Sequence, residues 1–160
     1  RCPAAKSMPH RISKYRSSII NPIKNQKEAI YKRIKKHIIL LEGGLPVHIE
    51  LYQMADGTEP VADFLQSLDK SMHAKAMHTI DLLEARGHLL RSPYSKELEN
   101  GIMELRISAG NNISRILYFF IVGNTAILTN GFIKKTQKTP PIEIERAKQY
   151  RADYMRRNQK

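Results

Sequence analysis

Cationic residues interrupt the most hydrophobic segments of this sequence, and this pattern constrains the fold more than any other feature. Segments between residues 96 and 138 are apolar enough to form neighbouring strands, yet Arg106, Arg115 and Lys134 interrupt them. A sheet that only had to enclose a core would not carry charge at these places. Positive charge on a rigid sheet suits a polyanion, and a phosphodiester undergoing reaction is the most specific example.

Turn chemistry between the last two strands predicts their register. Gly123-Asn124 is typical of a two-residue hairpin turn, which would pair Val122 with Thr125. In that register Arg115 lies opposite Phe132, since antiparallel partners recede from the turn one residue at a time. The register therefore brings a cation and an aromatic ring to one face of the sheet.

The preceding turn, between residues 110 and 113, permits two registers. A four-residue loop pairs Ala109 with Ser114 and puts Arg106 on the same face as Arg115. A three-residue loop sends Arg106 to the opposite face, because a one-residue slip reverses every side chain of a strand. We favour the four-residue loop, because it separates aliphatic from charged residues.

With the four-residue loop, the sheet has one face for a core and one for a ligand. The aliphatic face, which two helices are expected to cover, contains Leu105, Ile107, Ile116, Phe120, Ile127 and Ile133. The charged face contains Glu104, Arg106, Arg115, Asn130, Phe132 and Lys134. Three cations converging from three strands indicate a binding or catalytic surface as readily as an ordinary solvated face.

Helix signals surround these strands and give the element order β-α-α-β-β-β-α. A first strand begins near Val47, and Pro60 opens a short helix. Asp69 is suited to cap a second helix, which Gly87 closes, and Thr139-Pro140 begins a C-terminal helix. The later strands are predicted at about 102–109, 114–122 and 125–133. This order predicts an α+β fold in which a helical hairpin packs on one face of a small antiparallel sheet.

Charge divides the chain into a basic leader and a nearly balanced domain. Of the formal net charge of +12, residues 1–46 contribute +9 and residues 47–160 contribute +3. Apolar residues recur at helical spacing over 28–42, which predicts a basic amphipathic helix. The leader is either an arm for RNA or an anionic membrane, or a largely disordered extension that arises from an overlong gene start.

Several classes of protein are disfavoured. The single cysteine, Cys2, allows no internal disulfide and fits a reducing compartment such as the cytoplasm. The longest apolar run, residues 116–122, is too short to span a bilayer. The sequence has no phosphate-binding loop, no Gly-x-Gly-x-x-Gly, no paired cysteines and no His-x-x-x-His, so neither a cofactor nor a metal site is predicted.

The charged segments resemble a known family. The similarity rests on Lys96-x-Leu98, on Glu104-Leu105-Arg106-Ile107-Ser108, on Arg115-Ile116-x-Tyr118-Phe119, and on Gly131-Phe132-x-Lys134-Lys135-Thr136-x-Lys138-Thr139-Pro140. Ala55-Asp56-Gly57-x-x-Pro60-Val61-x-x-Phe64-Leu65 adds to it. These motifs, over about residues 47–157, resemble the phage-derived Gp49-like group, HigB-type toxins of the RelE/ParE superfamily. The Gly-Phe-x-Lys-Lys-Thr stretch is the most specific of them.

This resemblance implies a RelE-like toxin of a type II toxin–antitoxin system. Such a protein cleaves mRNA on the ribosome without a metal, by attack of the 2′-hydroxyl on the adjacent phosphate, and a HigA-like helix-turn-helix antitoxin neutralises it. The implied catalytic residues are Arg106, Arg115, Lys134 and Lys135. The implied substrate-binding residues are Lys96, Glu104, Phe132 and Lys138.

Some roles stay open at this point. Glu104 is either the general base or an ion-pair partner of Arg106, and Tyr118 is expected to face the core. Two other functions also fit the residues: a ParE-like toxin that inhibits gyrase and cuts no RNA, and a basic RNA-binding module without activity that is led by the leader.

Overall fold

The computed structural model of the protein describes residues 45–122 and 124–158. The predicted leader helix at 28–42 therefore lies outside the described residues. The elements are β1 (His48–Leu51), α1 (Pro60–Ser67), α2 (Lys70–Arg86), a 3-10 turn (Gly87–Leu89), β2 (Ser95–Glu99), β3 (Ile102–Ala109), β4 (Asn112–Ile121), β5 (Thr125–Ile133) and α3 (Pro141–Asn158). The predicted α+β class is confirmed. No helix in this part of the chain is long and apolar enough to cross a membrane.

One sheet joins all the strands in the order β1-β5-β4-β3-β2. The predicted order lacks β2, whose Ser-Lys-Glu-Leu-Glu sequence shows little of the apolar alternation by which strands are recognised. The sheet is also not wholly antiparallel, because β1 pairs in parallel with β5, with His48 opposite Thr125. The pairings of β3 with β4 and of β4 with β5 are antiparallel, as predicted, and β2 pairs antiparallel with β3.

The turn between β3 and β4 has two residues and not the predicted four. Ala109 pairs with Asn112, and Gly110 adopts a positive φ of 58° that suits glycine in so tight a turn. The prediction that the two arginines share a face is nevertheless confirmed. Loops of two and four residues preserve the same alternation of faces, so Arg106 and Arg115 lie directly opposite each other.

The turn between β4 and β5 differs from its prediction in a compensating way. Ile121, and not Val122, pairs with Thr125, which shifts the register by one residue at the turn. An irregularity beside Leu117 and Tyr118 shifts it back. The predicted pairing of Arg115 with Phe132 is therefore confirmed, although the turn that was expected to produce it does not exist.

Two hydrophobic cores lie on opposite faces of the sheet. The first core, beneath α1 and α2, includes Leu83, Leu105, Ile107, Ile116, Tyr118 and Leu128. The second core, beneath α3, includes Tyr52, Ile102, Leu117, Phe119, Ile127, Ala147 and Tyr154. One assignment to the helical-hairpin face is wrong, because an irregularity in β5 turns Ile127 to the second core. Ile133 pairs with Ser114 and lies on the predicted face, but it is 56% exposed at the end of its strand.

A capping aspartate and a close glycine contact help to position α2 and α1 on the sheet. Asp69 accepts hydrogen bonds from the backbone amides of Ser71 and Met72, which confirms it as the N-cap of α2. Gly131 on β5 lies against the ring of Phe64, leaving no room for a β-carbon. The helical hairpin is thus seated closely on the strands that carry the charged residues on their other face.

Candidate active site

A buried carboxylate is the centre of the charged face. Glu104 on β3 is only 1% exposed, and its Oε1 lies 3.0 Å from Arg106 Nε and 3.2 Å from Arg115 Nε. Its Oε2 accepts a hydrogen bond from the Thr139 hydroxyl, in the segment before α3. One acidic side chain therefore joins two neighbouring strands and the start of the C-terminal helix.

Thr139 has a different role from the one predicted. The helix α3 begins at Pro141, so Thr139 precedes it by two residues and is not at the N-cap. The Thr139 hydroxyl donates to Glu104 instead. The sequence signal for a helix start was therefore close to the right place, but the hydroxyl belongs to the charged cluster.

Arg115 is held beneath the surface. It is 7% exposed, and its Nη1 donates to the carbonyl oxygen of Ser114 at 2.7 Å. The Arg115 Nε is close enough to Glu104 for an ion pair but is buried without an aligned hydrogen-bond acceptor. Burial lowers the pKa of Arg115 and the charge of Glu104 opposes that effect. Arg115 is thus a fixed cation whose field acts at short range through a poorly solvated region.

The electrostatics keep Glu104 ionised. Burial alone would raise the pKa of Glu104, but hydrogen bonds from Thr139 and Arg106 and the charges of Arg115 and Lys134 outweigh it. The pKa of Glu104 is therefore lower than that of an ordinary glutamate. A carboxylate with a lowered pKa is a weak proton acceptor, so the geometry supports the ion-pair interpretation of Glu104 over the general-base one.

Lys134 is a stronger acid than an ordinary lysine, because its pKa is lowered. Its pKa lies below that of an ordinary lysine, first because of burial and then because of the charge of Arg115. Arg106 and Lys96 act in the same direction, and Glu104 opposes them. A lysine with a lowered pKa gives up its proton more readily, which suits it to proton transfer.

A cavity of about 310 Å³ opens beside this cluster. It contains five of the eight predicted site residues: Lys96, Glu104, Arg106, Lys134 and Lys138. Its lining is completed by residues that the sequence did not single out or assigned to other roles: Glu97, Leu98, Glu99, Gln137, Thr139 and Ile144. The cationic residues from β2, β3, the end of β5 and the following segment therefore meet at one concave surface.

Three predicted site residues lie outside the lining. Arg115 is buried behind Glu104, within ion-pair distance of it. Phe132, its partner on β5, packs half-buried against the second core, and Lys135 is exposed. Tyr118 faces the first core as predicted; its hydroxyl lies 2.7 Å from Ser95 Oγ, and burial raises its pKa.

Comparisons with known proteins identify the family. No curated protein matches the sequence closely enough to be named as a relative. The family described as phage derived protein Gp49-like (DUF891) matches residues 63–152, which include every residue that lines the cavity. This match covers more than half of the chain. The protein therefore belongs to the phage-derived Gp49-like family, which is related to the toxins of toxin–antitoxin systems.

Proposed function

We propose that the protein is the toxin of a type II toxin–antitoxin system and acts as a HigB/RelE-like, ribosome-dependent mRNA endoribonuclease in the cytoplasm, neutralised by a HigA-like helix-turn-helix antitoxin. The observation that carries the proposal is the cavity in which Arg106 and Lys134 adjoin an ionised, buried Glu104. Lys96 and Lys138 extend this positive surface along the cavity. Such a surface fits a phosphodiester of single-stranded RNA.

The reaction is an internal transfer at phosphorus. The 2′-oxygen of a ribose attacks the adjacent phosphorus and forms a new P–O bond, and the bond from phosphorus to the 5′-oxygen of the next nucleotide breaks. The 2′-hydroxyl loses a proton and the departing 5′-oxygen gains one. The enzyme must therefore stabilise additional negative charge on the phosphate and supply and accept one proton.

The two arginines supply the charge stabilisation. Arg106, whose side chain is 30% exposed, contacts the phosphate directly from the cavity wall. Arg115 acts from beneath, where low solvation strengthens its field. Glu104 holds both guanidinium groups in place, so that they need not reorganise when charge develops in the transition state. Glu104 is therefore a positioning residue in this mechanism.

Lys134 donates the proton to the departing 5′-oxygen. It lines the cavity beside Arg106, and its lowered pKa makes it a better acid than an ordinary lysine. Lys96 and Lys138 contact neighbouring phosphates, whereas the exposed Lys135 contacts RNA outside the cavity. We assign no base-stacking role to Phe132, because its ring packs against the second core.

The acceptor of the 2′ proton is a carboxylate of the cavity other than Glu104. Glu97 and Glu99 both line it. Lys148 lies 2.6 Å from Glu99 and holds that carboxylate in an ion pair. Glu97 lies opposite Met103, which packs against the first core, so its side chain extends toward the other face of the sheet. Glu99, whose side chain is 50% exposed, is accordingly the acceptor we assign, and Glu99→Gln should lower cleavage more than Glu97→Gln.

The test is cleavage of cellular mRNA. Replacement Arg106→Ala should lower the rate of cleavage by about 10²–10³-fold, the effect of removing one charge-stabilising group. Primer extension after induction measures it, together with relief of growth arrest. Arg156→Ala is the matched control, because Arg156 is 79% exposed on α3, far along the helix from the cavity lining. Full toxicity with no cut mRNA from the unaltered protein would favour inhibition of gyrase instead.

A further inference from the structure

A second cavity, of about 410 Å³, lies across strand β2 from the proposed active site. It is lined by His88, Arg91, Ser95, Lys96, Glu97, Gly101, Met103 and Phe120. Lys96 and Glu97 also line the first cavity, so the edge strand β2 is the wall between the two. Because only one strand separates them, an extended polymer can occupy both cavities by crossing a single edge of the sheet.

An aromatic stack forms one side of the second cavity. The ring centroids of His88 and Phe120 are 3.7 Å apart with 34° between the ring planes. Tyr118 lies edge-on to Phe120 at 5.5 Å, which anchors the stack in the first core. Phe120 is half-buried and His88 is exposed. The His88 ring therefore offers an open outer face on a support that is already fixed.

Cations accompany this open ring. The Nη1 of Arg91 donates to the carbonyl oxygen of His88, so the backbone that carries the ring also fixes the guanidinium group. Lys96 lies opposite Glu104 on β3 and therefore extends toward the first cavity from the shared wall. An exposed aromatic ring beside a cation, with a further cation along the path of the chain, is an arrangement by which proteins hold single-stranded nucleic acid.

We propose that this second cavity binds a nucleotide of the same single-stranded RNA, next to the one that is cleaved, with its base stacked on His88 and its phosphate held by Arg91. Lys96 contacts the phosphate that crosses the β2 edge. This inference rests on the proposed function, because it takes the first cavity as the place where RNA is cut. It adds a substrate-binding site on the opposite face of the sheet.

Binding of non-cleavable 2′-O-methyl RNA tests the site with the full chain. The double variant His88→Leu/Arg91→Gln should weaken binding of a fluorescein-labelled eight-nucleotide RNA about tenfold, as expected for the loss of one stacked base and one phosphate contact. Binding of a dinucleotide, which fills only the first cavity, should change less than twofold. Arg91→Gln alone should reduce the slope of log affinity against log salt by about 0.7, the value for one phosphate contact on a single strand.

Two further variants distinguish loss of the site from loss of the fold. Lys75→Gln/His78→Leu likewise removes one histidine and one cation, from the exposed surface of α2, and should bind like the unaltered protein. His88→Tyr keeps an aromatic face and should retain the affinity. Equal affinity of His88→Leu/Arg91→Gln and the unaltered protein for the eight-nucleotide RNA would overturn this inference alone. Failure of the unaltered protein to bind or cut any RNA would overturn the proposed function as well.

Discussion

The two faces of the sheet bury different kinds of side chain. Beneath α1 and α2 the sheet buries aliphatic and aromatic side chains, and its buried hydroxyl pair, Ser95 and Tyr118, is internally hydrogen-bonded. Beneath α3 the sheet buries a smaller core and, beside it, the Glu104 carboxylate and Arg115, which are joined by the partly exposed Arg106. The first face gains stability from apolar area, whereas the charged part of the second holds ions out of water, which costs free energy unless they are paired.

This contrast supports the proposal that the charged cluster serves a chemical function. A buried ion pair is often no more stable than hydrophobic residues of the same volume. The cavity of about 310 Å³ opens directly beside the charged cluster and includes Glu104 and Arg106 in its lining. Three predictions test the comparison, in order of decreasing effect.

The largest effect should come from breaking the buried ion pair. Glu104→Leu or Arg115→Leu alone should lower the free energy of unfolding by about 3–5 kcal/mol, since each leaves an unpaired buried charge. The double variant should recover most of that loss while remaining inactive. Urea denaturation measures all three. The control is Glu99→Leu, which breaks the exposed pair with Lys148 and should cost about 0–1 kcal/mol. Equal costs for Glu104→Leu and Glu99→Leu would contradict the contrast.

Low pH should lower the free energy of unfolding through the same carboxylate, Glu104. The effect should be smaller than that of Glu104→Leu, because protonation removes the charge but keeps the side-chain atoms. The folded-state pKa of Glu104 is lowered from the ordinary 4.5, so its contribution is fully present above that value. The contribution is lost as the pH falls through the lowered folded pKa. The urea midpoint of the unaltered protein should therefore fall more steeply below about pH 4.5 than that of Glu104→Gln. Parallel profiles would show that Glu104 is not held in its charged form.

The smallest effect should come from the polar pair on the aliphatic face. Tyr118→Phe removes the hydroxyl that lies 2.7 Å from Ser95 Oγ and should cost about 0.5–1.5 kcal/mol. Cleavage should be unchanged, since Tyr118 faces the first core. Thermal unfolding and primer extension measure the two parts. A loss of cleavage as large as that of Arg106→Ala would show that the Tyr118 hydroxyl contributes to the charged site.

Local signals predicted the elements of the fold well. Proline and aspartate at the starts of α1 and α2 gave their positions, because such residues act within one helical turn. Strand β2 was missed because it is polar and lies at the sheet edge, where no apolar alternation is required. The parallel pairing of β1 with β5 is a contact between distant parts of the chain, which no local pattern records.

The sequence predicted which charged residues share a face of the sheet, but it did not predict the cavity that they line. Alternation along the strands brought Arg106, Arg115 and Glu104 together, and it did so even though both turn lengths were wrong. The burial of Arg115 and the bond from Thr139 depend on how α3 closes over the sheet. The packing of Phe132 into the second core depends on the same closure, so its predicted role in stacking could not be judged from the sequence.

The parallel pairing of β1 and β5 also affects the moment at which the proposed active site can form. The first strand of the domain finds its partner only after the ribosome has added Thr125, and Thr139, which closes the site, comes later still. Contacts so distant in sequence form slowly, because a long loop must be closed first. Synthesis itself therefore sets a delay, during which a nascent chain carries the arginines but has not yet assembled the surface of the proposed active site.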